Sequence, residues 1–405
     1  MRNAATGVDG LYPSYGLFFA GSAAIDTLTL VFGARVLQGS TSQLGLLDAA
    51  SNFGFTFAAL GFGMLTRYLS PSRPLLAGGL ALTAIPVILF ATTGGMAIAY
   101  ALSVVIGALA AAPMSAVPWY LCHHLPRRRW GEVFGKLSGA GAVGSAFGLA
   151  FAFGWLALSD HLPGGSGGER SMFVISGVSI LLAAVGAWFA TGGIKRERHE
   201  RPGRTSIERG GAPLPSPTSL FKDTWVVYTV LPALLFMGIG MSYTGAVLFF
   251  LNELALPGAA IFGLVLLYRA GSWVTSNPTG SLVGRFSSLR LHQMAGGWRI
   301  AATLGIAAVA WGPLGPWSMV VAGLFFTICG TTSGALGVTG PSASTDPIPE
   351  RYQGMAIGLF NGVSVGAMGV GAWLSGLLAQ NLGFGPVLAI SAGIMALALW
   401  LHGRY

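Results

Sequence analysis

The sequence predicts an all-α integral membrane protein with about twelve transmembrane helices in two pseudo-symmetric six-helix bundles. Composition is the first observation behind this prediction: 53% of the 405 residues are hydrophobic and only 9% are charged, whereas a water-soluble domain carries about 25% charged residues. The second observation is a series of apolar stretches long enough to cross a bilayer. The third is a sequence pattern that occurs twice, once in each half of the chain.

The apolar stretches meet the length requirement for a membrane helix, which is about 20 residues. Twelve are predicted, near 12–35, 43–66, 74–94, 96–122, 131–157, 171–193, 225–251, 258–283, 294–313, 316–340, 354–380 and 385–402. Glycine accounts for 62 residues, and small residues allow membrane helices to approach one another closely. We therefore expect a tightly packed helical bundle.

The repeated pattern is aliphatic-Pro-x-Arg-x-x-Gly-x-x-x-Gly. One copy begins at Leu125 and the other at Ile348, each in a short polar segment between two apolar stretches. A fainter repeat, with a slightly shorter offset, relates the segment at Gly63 to the segment at Gly280. The residues expected to act as cytoplasmic hinges are Pro126, Arg128, Gly131, Pro349, Arg351, Gly354, Gly63, Gly280 and Arg285. Duplicated halves are typical of secondary transporters, in which two bundles move about a shared central site.

One long polar segment separates the two halves. It opens with a charged run at 195–201 and continues through Gly, Pro and Ser, a composition that cannot bury a core. The predicted domains are therefore an N-terminal six-helix bundle at 1–193, a cytoplasmic linker at 194–224 and a C-terminal six-helix bundle at 225–405.

The positive charge is distributed unevenly across the predicted membrane. If the N-terminus is cytoplasmic, 19 of the 22 Lys and Arg residues, Arg299 among them, fall on the cytoplasmic side. Only Arg35 and Arg170 fall on the other side, and Arg269 lies within a span. Basic residues concentrate in cytoplasmic loops, so both termini are predicted to be cytoplasmic. The net charge of +9 orients the protein in an inner (cytoplasmic) membrane, and no nucleic-acid partner is expected.

These features resemble the major facilitator superfamily of transporters. The superfamily's loop signature between spans 2 and 3 is roughly Gly-x-Leu-x-Asp-Arg-x-Gly-Arg-Arg. Gly63 and Leu65 match it here, although Arg67 stands at the acidic position. In the second copy Gly280, Leu282, Arg285 and Phe286 fit, and Gly284 replaces the acid. The resemblance implies alternating access around a central cavity that spans 1, 2, 7 and 8 border.

A second partial match concerns the direction of transport. Proton-driven exporters of the superfamily carry a Gly-x8-Gly-x3-Gly-Pro-x2-Gly-Gly pattern in span 5. Gly135, Gly144 and Gly148 reproduce its first three glycines, whereas Leu149 stands where the proline would be. This match slightly favours export over import.

Two ionisable residues lie near the middle of predicted spans. A charge within the bilayer costs about 2.5–3.5 kcal/mol on insertion scales, so such residues are functional candidates. Asp26 lies in span 1 and Arg269 in span 8, and the resemblance implies that both face the cavity. We expect Asp26 to carry a proton and Arg269 to bind an anionic substrate group or to pair with Asp26. Two alternatives remain: a permanent pair that fixes helix packing, and an Asp26 that binds substrate without titrating.

Other polar side chains could complete a substrate site or could instead hydrogen-bond between helices. The predicted substrate-binding residues besides Arg269 are Asn277, Trp273, Tyr243, Asn52, Asn361 and Tyr15. Asp48 could extend this polar path near the outer end of span 2. Contact with external water is the interpretation we favour for Asp48.

Metal binding and enzymatic catalysis have weaker support. Met237 and Met241, one turn apart in span 7, could hold Cu(I), which would make the protein a copper importer, but methionines at this spacing usually pack. Cys122 and Cys329 are too few for a disulfide framework. No nucleophile, base and metal ligands gather at one depth, so an enzyme is not expected.

The sequence therefore predicts a secondary active transporter that moves a small organic solute by alternating access. It is expected to be a monomer in the lipid bilayer, to require no cofactor and to use the proton gradient as its energy source. The alternative is a non-transporting protein on the same scaffold, such as an assembly factor or a sensor.

Overall fold

The computed structural model describes residues 2–65, 73–124, 130–159, 167–192, 231–283, 286–312, 314–345 and 350–404. The linker predicted at 194–224 lies outside these residues, as do the side chains at several helix ends.

The described residues form twelve long helices and one short 3₁₀ turn. The N-terminal half contains α1 (Arg2–Arg35), α2 (Thr41–Leu65), α3 (Arg73–Phe90), α4 (Met96–His124), α5 (Trp130–Ser159) and α6 (Gly167–Gly192). The C-terminal half contains α7 (Leu231–Asn252), α8 (Gly258–Val283), α9 (Ser288–Trp311), α10 (Ser318–Thr345), α11 (Glu350–Leu382) and α12 (Phe384–Arg404). The turn covers Gly315–Trp317. Among the described residues, nine helices are long and apolar enough to cross a membrane, and the all-α fold class is confirmed.

Helix ends meet at two faces of the molecule. At the first, Gly10 in the first third of α1 packs on Ala190 near the end of α6, and the end of α12 lies beside the start of α9. We call this the terminal face because it carries the starts of α1 and α9 and the ends of α6 and α12. At the opposite, distal face, the end of α1 pairs with the start of α6 through Arg35 and Glu169, 3.7 Å apart.

The two halves share one packing scheme. In the N-terminal half, α1 packs on α5 and α6, α2 on α4, and α3 on α4 and α6. In the C-terminal half, α7 packs on α11 and α12, α8 on α10, and α9 on α10 and α12. Each contact of the first half thus has its counterpart six helices later, as expected of a duplicated bundle.

Glycines bring equivalent helix pairs into close contact. A Cβ on Gly148 of α5 would overlap the carbonyl oxygen of Ala20 on α1, and one on Gly371 of α11 would overlap that of Met237 on α7. Gly148 and Gly371 are as far apart in the sequence as the two hinge motifs. Their partners, Ala20 and Met237, are as far apart as the two copies of the fainter repeat. Close backbone approach at small residues is what packs membrane helices, and here it is repeated in each half.

The halves meet mainly through α2 with α11 and α5 with α8. Near the distal face, Gly45 of α2 contacts Gly376 of α11 backbone to backbone, and Asn252 Nδ2 donates to Thr41 Oγ1 at 3.2 Å. Nearer the terminal face, Thr56 Oγ1 donates to the carbonyl of Gly362 at 3.3 Å. In the described structure the two bundles are therefore joined at the distal face, and their contact along α2 extends past the middle of that helix.

Candidate functional site

Two adjoining cavities lie where the halves meet. The larger has a volume of about 370 Å³ and the smaller about 140 Å³. Four residues line both: Asp26, Ser51, Asn52 and Arg269. We refer to the two together as the central cavity. The helices that supply these four residues are α1, α2 and α8, and α7 adds Tyr243 and Thr244 to the smaller cavity.

An ion pair crosses the cavity from one half to the other. Arg269 Nη2 of α8 lies 3.8 Å from Asp26 Oδ2 of α1, and the two side chains are 43% and 58% exposed to the cavity space. This separation exceeds that of a hydrogen bond, so neither group uses its hydrogen-bonding capacity on the other. Both side chains therefore keep hydrogen-bonding capacity for a proton or a solute. Among the described residues, Arg269 is the one ionic partner of Asp26.

The wall of the larger cavity is mostly apolar and aromatic. It includes Phe18, Phe19, Phe55, Ile106 and Met114. Sites for organic ligands are typically apolar with a few placed polar groups. The combination of an aromatic wall and one ion pair suits a small organic solute that carries a polar or charged group.

The internal repeat relates the polar residues of the smaller cavity to one another. The offset of the fainter repeat pairs Asp26 with Tyr243 and Asn52 with Arg269, and all four side chains line that cavity. Each half thus contributes one residue at each of two equivalent positions. The acid and the guanidinium belong to different halves, so a movement of one half against the other changes their separation.

Asp48 adds a second polar link between the halves. It is the eighth residue of α2, about 10 Å along the helix axis from the distal end, and it lines the smaller cavity with Asp26. Thr244 Oγ1 of α7 donates to Asp48 Oδ2 at 2.5 Å. The interpretation that Asp48 faces external water is corrected by this contact, because the close packing of α2 against the C-terminal half turns its carboxylate inward.

The structure brings together some of the predicted substrate-binding residues. Tyr243 and Asn52 line the cavity with Asp26 and Arg269. Tyr15 packs on Phe19, with ring centroids 4.8 Å apart, behind the wall of the larger cavity. Trp273 is half-exposed on α8 and Asn361 is exposed on α11, and neither residue lines the central cavity. The side chain of Asn277 lies outside the described residues.

The predicted hinge motifs fall at equivalent places in the two halves. Gly131 lies in the first turn of α5 and Gly354 in the first turns of α11, so each motif begins the fifth helix of its half. Gly63 lies in the last turn of α2, and Gly280 is exposed near the end of α8 with open space around its Cα. Arg351 lies in α11, its side chain outside the described residues, and Pro126, Arg128, Pro349 and Arg285 lie outside them entirely.

The two methionines of α7 take part in helix packing. Met241 is fully buried in the main apolar core, and the backbone of Met237 is covered by Gly371. Neither residue lines the central cavity.

Sequence reasoning missed one charged residue within the bundle. Arg299 was assigned to the cytoplasmic side, but α9 begins at Ser288 rather than near 294, which makes Arg299 the twelfth residue of the helix. Its side chain is 1% exposed. Arg269 was already assigned to a span, so moving Arg299 into the bundle lowers the number of basic residues predicted for the cytoplasmic side from 19 to 18. The polar residues at the start of α9, which include Arg290 and His292, led the sequence count to begin this helix too late and to place Arg299 at its end.

Comparison with protein families settles the class of protein. The model of the Major Facilitator Superfamily matches residues 11–367. The chain belongs to this superfamily. The major facilitator fold accounts for the duplicated six-helix bundles and for a cavity bordered by α1, α2, α7 and α8.

Solved structures of other transporters share the fold. A variant of the nucleoside transporter NupG superposes with a TM-score of 0.75 at 13% identity, over 98% of this chain and 99% of the other. A bacterial homologue of the human lysosomal transporter Spinster, inward-facing and occupied, gives 0.74 at 14% identity, over 98% and 96%. The xylose transporter XylE from E. coli, partially occluded and inward open, gives 0.72 at 13% identity, over 98% and 97%. No curated protein matches the sequence significantly.

Proposed function

We propose that this major facilitator protein is a proton-coupled secondary active transporter that moves a small organic solute by alternating access. The observation that carries the proposal is the ion pair between Asp26 and Arg269, which spans the two halves inside a cavity of about 370 Å³. An acid that faces a cavity within the bilayer region is by default a functional candidate.

Asp26 is the proton carrier in this mechanism. In its charged form the carboxylate attracts Arg269 across the cavity and holds α1 near α8. A proton on Asp26 cancels this attraction, which frees the Arg269 guanidinium for the solute and lowers the cost of separating the halves. Because the two groups are 3.8 Å apart rather than in a tight bidentate pair, exchange of one partner for another requires little rearrangement.

The same scaffold supplies the conformational change. The halves rock about the central cavity, and the joined distal face opens when the terminal face closes. The uneven distribution of basic residues supports termini and a linker on the cytoplasmic side of an inner membrane, which would make the distal face the periplasmic or external one. The glycine spacing in α5 favours export over import.

The test begins with a ligand and ends with flux. A thermal-shift screen of organic solutes on the purified protein identifies a binder, and proteoliposomes loaded with a pH-sensitive dye then report proton movement that accompanies its transport. Asp26→Asn is expected to abolish the response of flux to an imposed pH gradient. Asp9→Asn, a matched change at an exposed position of the same helix, is expected to leave it intact.

Two results would contradict the proposal. Solute movement by Asp26→Asn that still follows the pH gradient would remove Asp26 as the proton carrier and leave a static pair with Arg269. A stable protein partner on purification, together with no flux of any solute that binds, would favour the non-transporting alternative.

A further inference from the structure

Arg299 is a buried guanidinium without a carboxylate partner among the described residues. Its Nη1 donates to the carbonyl of Cys329 at 2.6 Å, to Ser333 Oγ and to the Tyr268 hydroxyl at 3.3 Å. Its Nη2 donates to Ser242 Oγ at 3.4 Å, whereas Nε has no partner in the described structure. Neutral oxygens alone therefore hold this charge.

Such an arrangement is costly and calls for a reason. Removal of an ion from water costs several kcal/mol even after relaxation, and a neutral hydrogen-bond shell offsets the cost less well than an opposite charge does. An apolar residue would join α7, α8, α9 and α10 at the same place without that cost. A charge held at that cost is a candidate for a role beyond helix packing.

Tyr268 connects Arg299 to the central cavity. The tyrosine lines the smaller cavity together with Asp26 and Arg269, and its hydroxyl hydrogen-bonds both Arg299 and Ser333, the latter at 2.5 Å. The Arg299 guanidinium also lies 5.7 Å from the centre of the Tyr268 ring. The positive charge is thus one side chain behind the cavity wall, in a buried position where it is screened less than a surface charge.

Arg299 changes the balance of formal charges at the cavity. The charged side chains that line the cavity in the described structure are Asp26, Asp48 and Arg269, and the titratable hydroxyls that face them are those of Tyr243 and Tyr268. With Arg299 behind the wall, two guanidinium groups balance two carboxylates. Each proton bound by an acid then leaves one uncompensated positive charge.

We propose that the solute of this cavity is an organic anion with an apolar or aromatic body, and that Arg299 is the positioning residue that sets this preference. The inference rests on the proposed proton coupling, because the proton-loaded cavity is the one with excess positive charge. The anion neutralises that charge at Arg269, and the aromatic side chains Phe18, Phe19 and Phe55 cover its body. Without Arg299 the proton-loaded cavity would be neutral and would not select for charge.

The experiment compares three probes of similar shape and different charge: benzenesulfonate, benzenesulfonamide and phenyltrimethylammonium. The full-length protein carries Cys122→Ser and Ala110→Cys, because Ala110 lines the larger cavity and Cys329 is buried. Protection of the introduced thiol from a maleimide then reports occupancy of the cavity, at pH 5 and at pH 8. Benzenesulfonate is expected to protect, more strongly at pH 5, and the other two probes are not.

Two variants separate charge from packing. At an effective dielectric constant of about 20, a charge about 10 Å away alters anion affinity on the order of tenfold, so Arg299→Met is expected to weaken protection by benzenesulfonate by that factor. Arg299→Lys keeps the charge and is expected to stay close to the parent protein. A purely structural role would make both variants less stable and leave the order of the three probes unchanged.

Protection by the cationic or neutral probe equal to that by benzenesulfonate would overturn the inference, and so would no protection by any probe. Both results come from the protein with native Arg299, so they do not depend on whether Arg299→Met folds. Either result would refute the anion preference without refuting the proposed proton-coupled transport. Asp26-dependent, pH-driven flux of a cationic solute would leave the transporter intact and refute only the anion preference.

Discussion

The hydrogen bond between Thr244 and Asp48 allows a quantitative test of how the distal face is held closed. Thr244 is fully buried on α7, and its hydroxyl donates to Asp48 Oδ2 of α2 at 2.5 Å. Thr244→Val removes this donor and keeps the side-chain shape. In the closed state of the variant, the Asp48 carboxylate has lost its hydrogen-bond donor. In the open state, water can replace that donor, so the substitution destabilises only the closed state.

The expected size of the effect follows from the charge of the acceptor. A hydrogen bond to a charged group contributes about 1.5–3 kcal/mol, and every 1.4 kcal/mol changes an equilibrium constant tenfold. Thr244→Val is therefore expected to shift the equilibrium toward the distally open state by about 10- to 150-fold. The repeat provides a matched control, since the offset of the fainter repeat pairs Thr244 with Thr27 on α1. The Thr27 hydroxyl is buried without a hydrogen-bond partner among the described residues, so Thr27→Val is expected to leave the equilibrium unchanged.

Distances between spin labels across the distal face measure the equilibrium. Gln43 near the start of α2 and Gln380 near the end of α11 are both exposed and flank the contact between Gly45 and Gly376. After Cys122→Ser, labels at Gln43→Cys and Gln380→Cys in lipid nanodiscs are expected to show a longer-distance population that grows with Thr244→Val. An unchanged distance distribution in Thr244→Val, or an equal shift in Thr27→Val, would refute this account of the closed face.

Two further predictions concern packing. Gly371→Ala places a methyl group against the carbonyl of Met237 and is expected to destabilise the protein by about 1–3 kcal/mol through overpacking, seen as a lower melting temperature. Gly393→Ala on α12 meets open space and is expected to stabilise by up to about 1 kcal/mol; equal effects of the two would contradict the packing argument. Cys329, buried near Arg299, is expected to react with a maleimide only on unfolding in a Cys122→Ser background, and rapid labelling of the folded protein would place it elsewhere.

The helices and their duplication follow from local sequence properties. A bilayer requires a continuous run of apolar residues for each crossing, so the sequence predicted all twelve long helices of the described structure. The hinge motifs and the fainter repeat predicted that the two halves are alike, and the close contacts of Gly148 and Gly371 recur at those offsets.

The charged residues show where sequence reasoning reached its limit. Asp26 and Arg269 stood out because each lies near the middle of a predicted apolar stretch, and the structure brings them together. Arg299 lay close to the start of the stretch predicted at 294–313 and was counted with the cytoplasmic side, and Asp48 lay near a helix end where water was the simpler partner. For both, the deciding contact comes from another helix, with Tyr268 and Ser333 around Arg299 and Thr244 beside Asp48.

The amino-acid sequence by itself determined that the chain enters a membrane as two similar helical bundles. Each membrane helix satisfies its own backbone hydrogen bonds, so an apolar stretch of sufficient length is enough to predict it. Only the tertiary structure decided which polar side chains share one cavity. The separation of Asp26 from Arg269 and the shell around Arg299 depend on how helices far apart in sequence rotate and pack, and the apolar pattern of a single helix with nearly equal hydrophobicity on all sides does not fix that rotation.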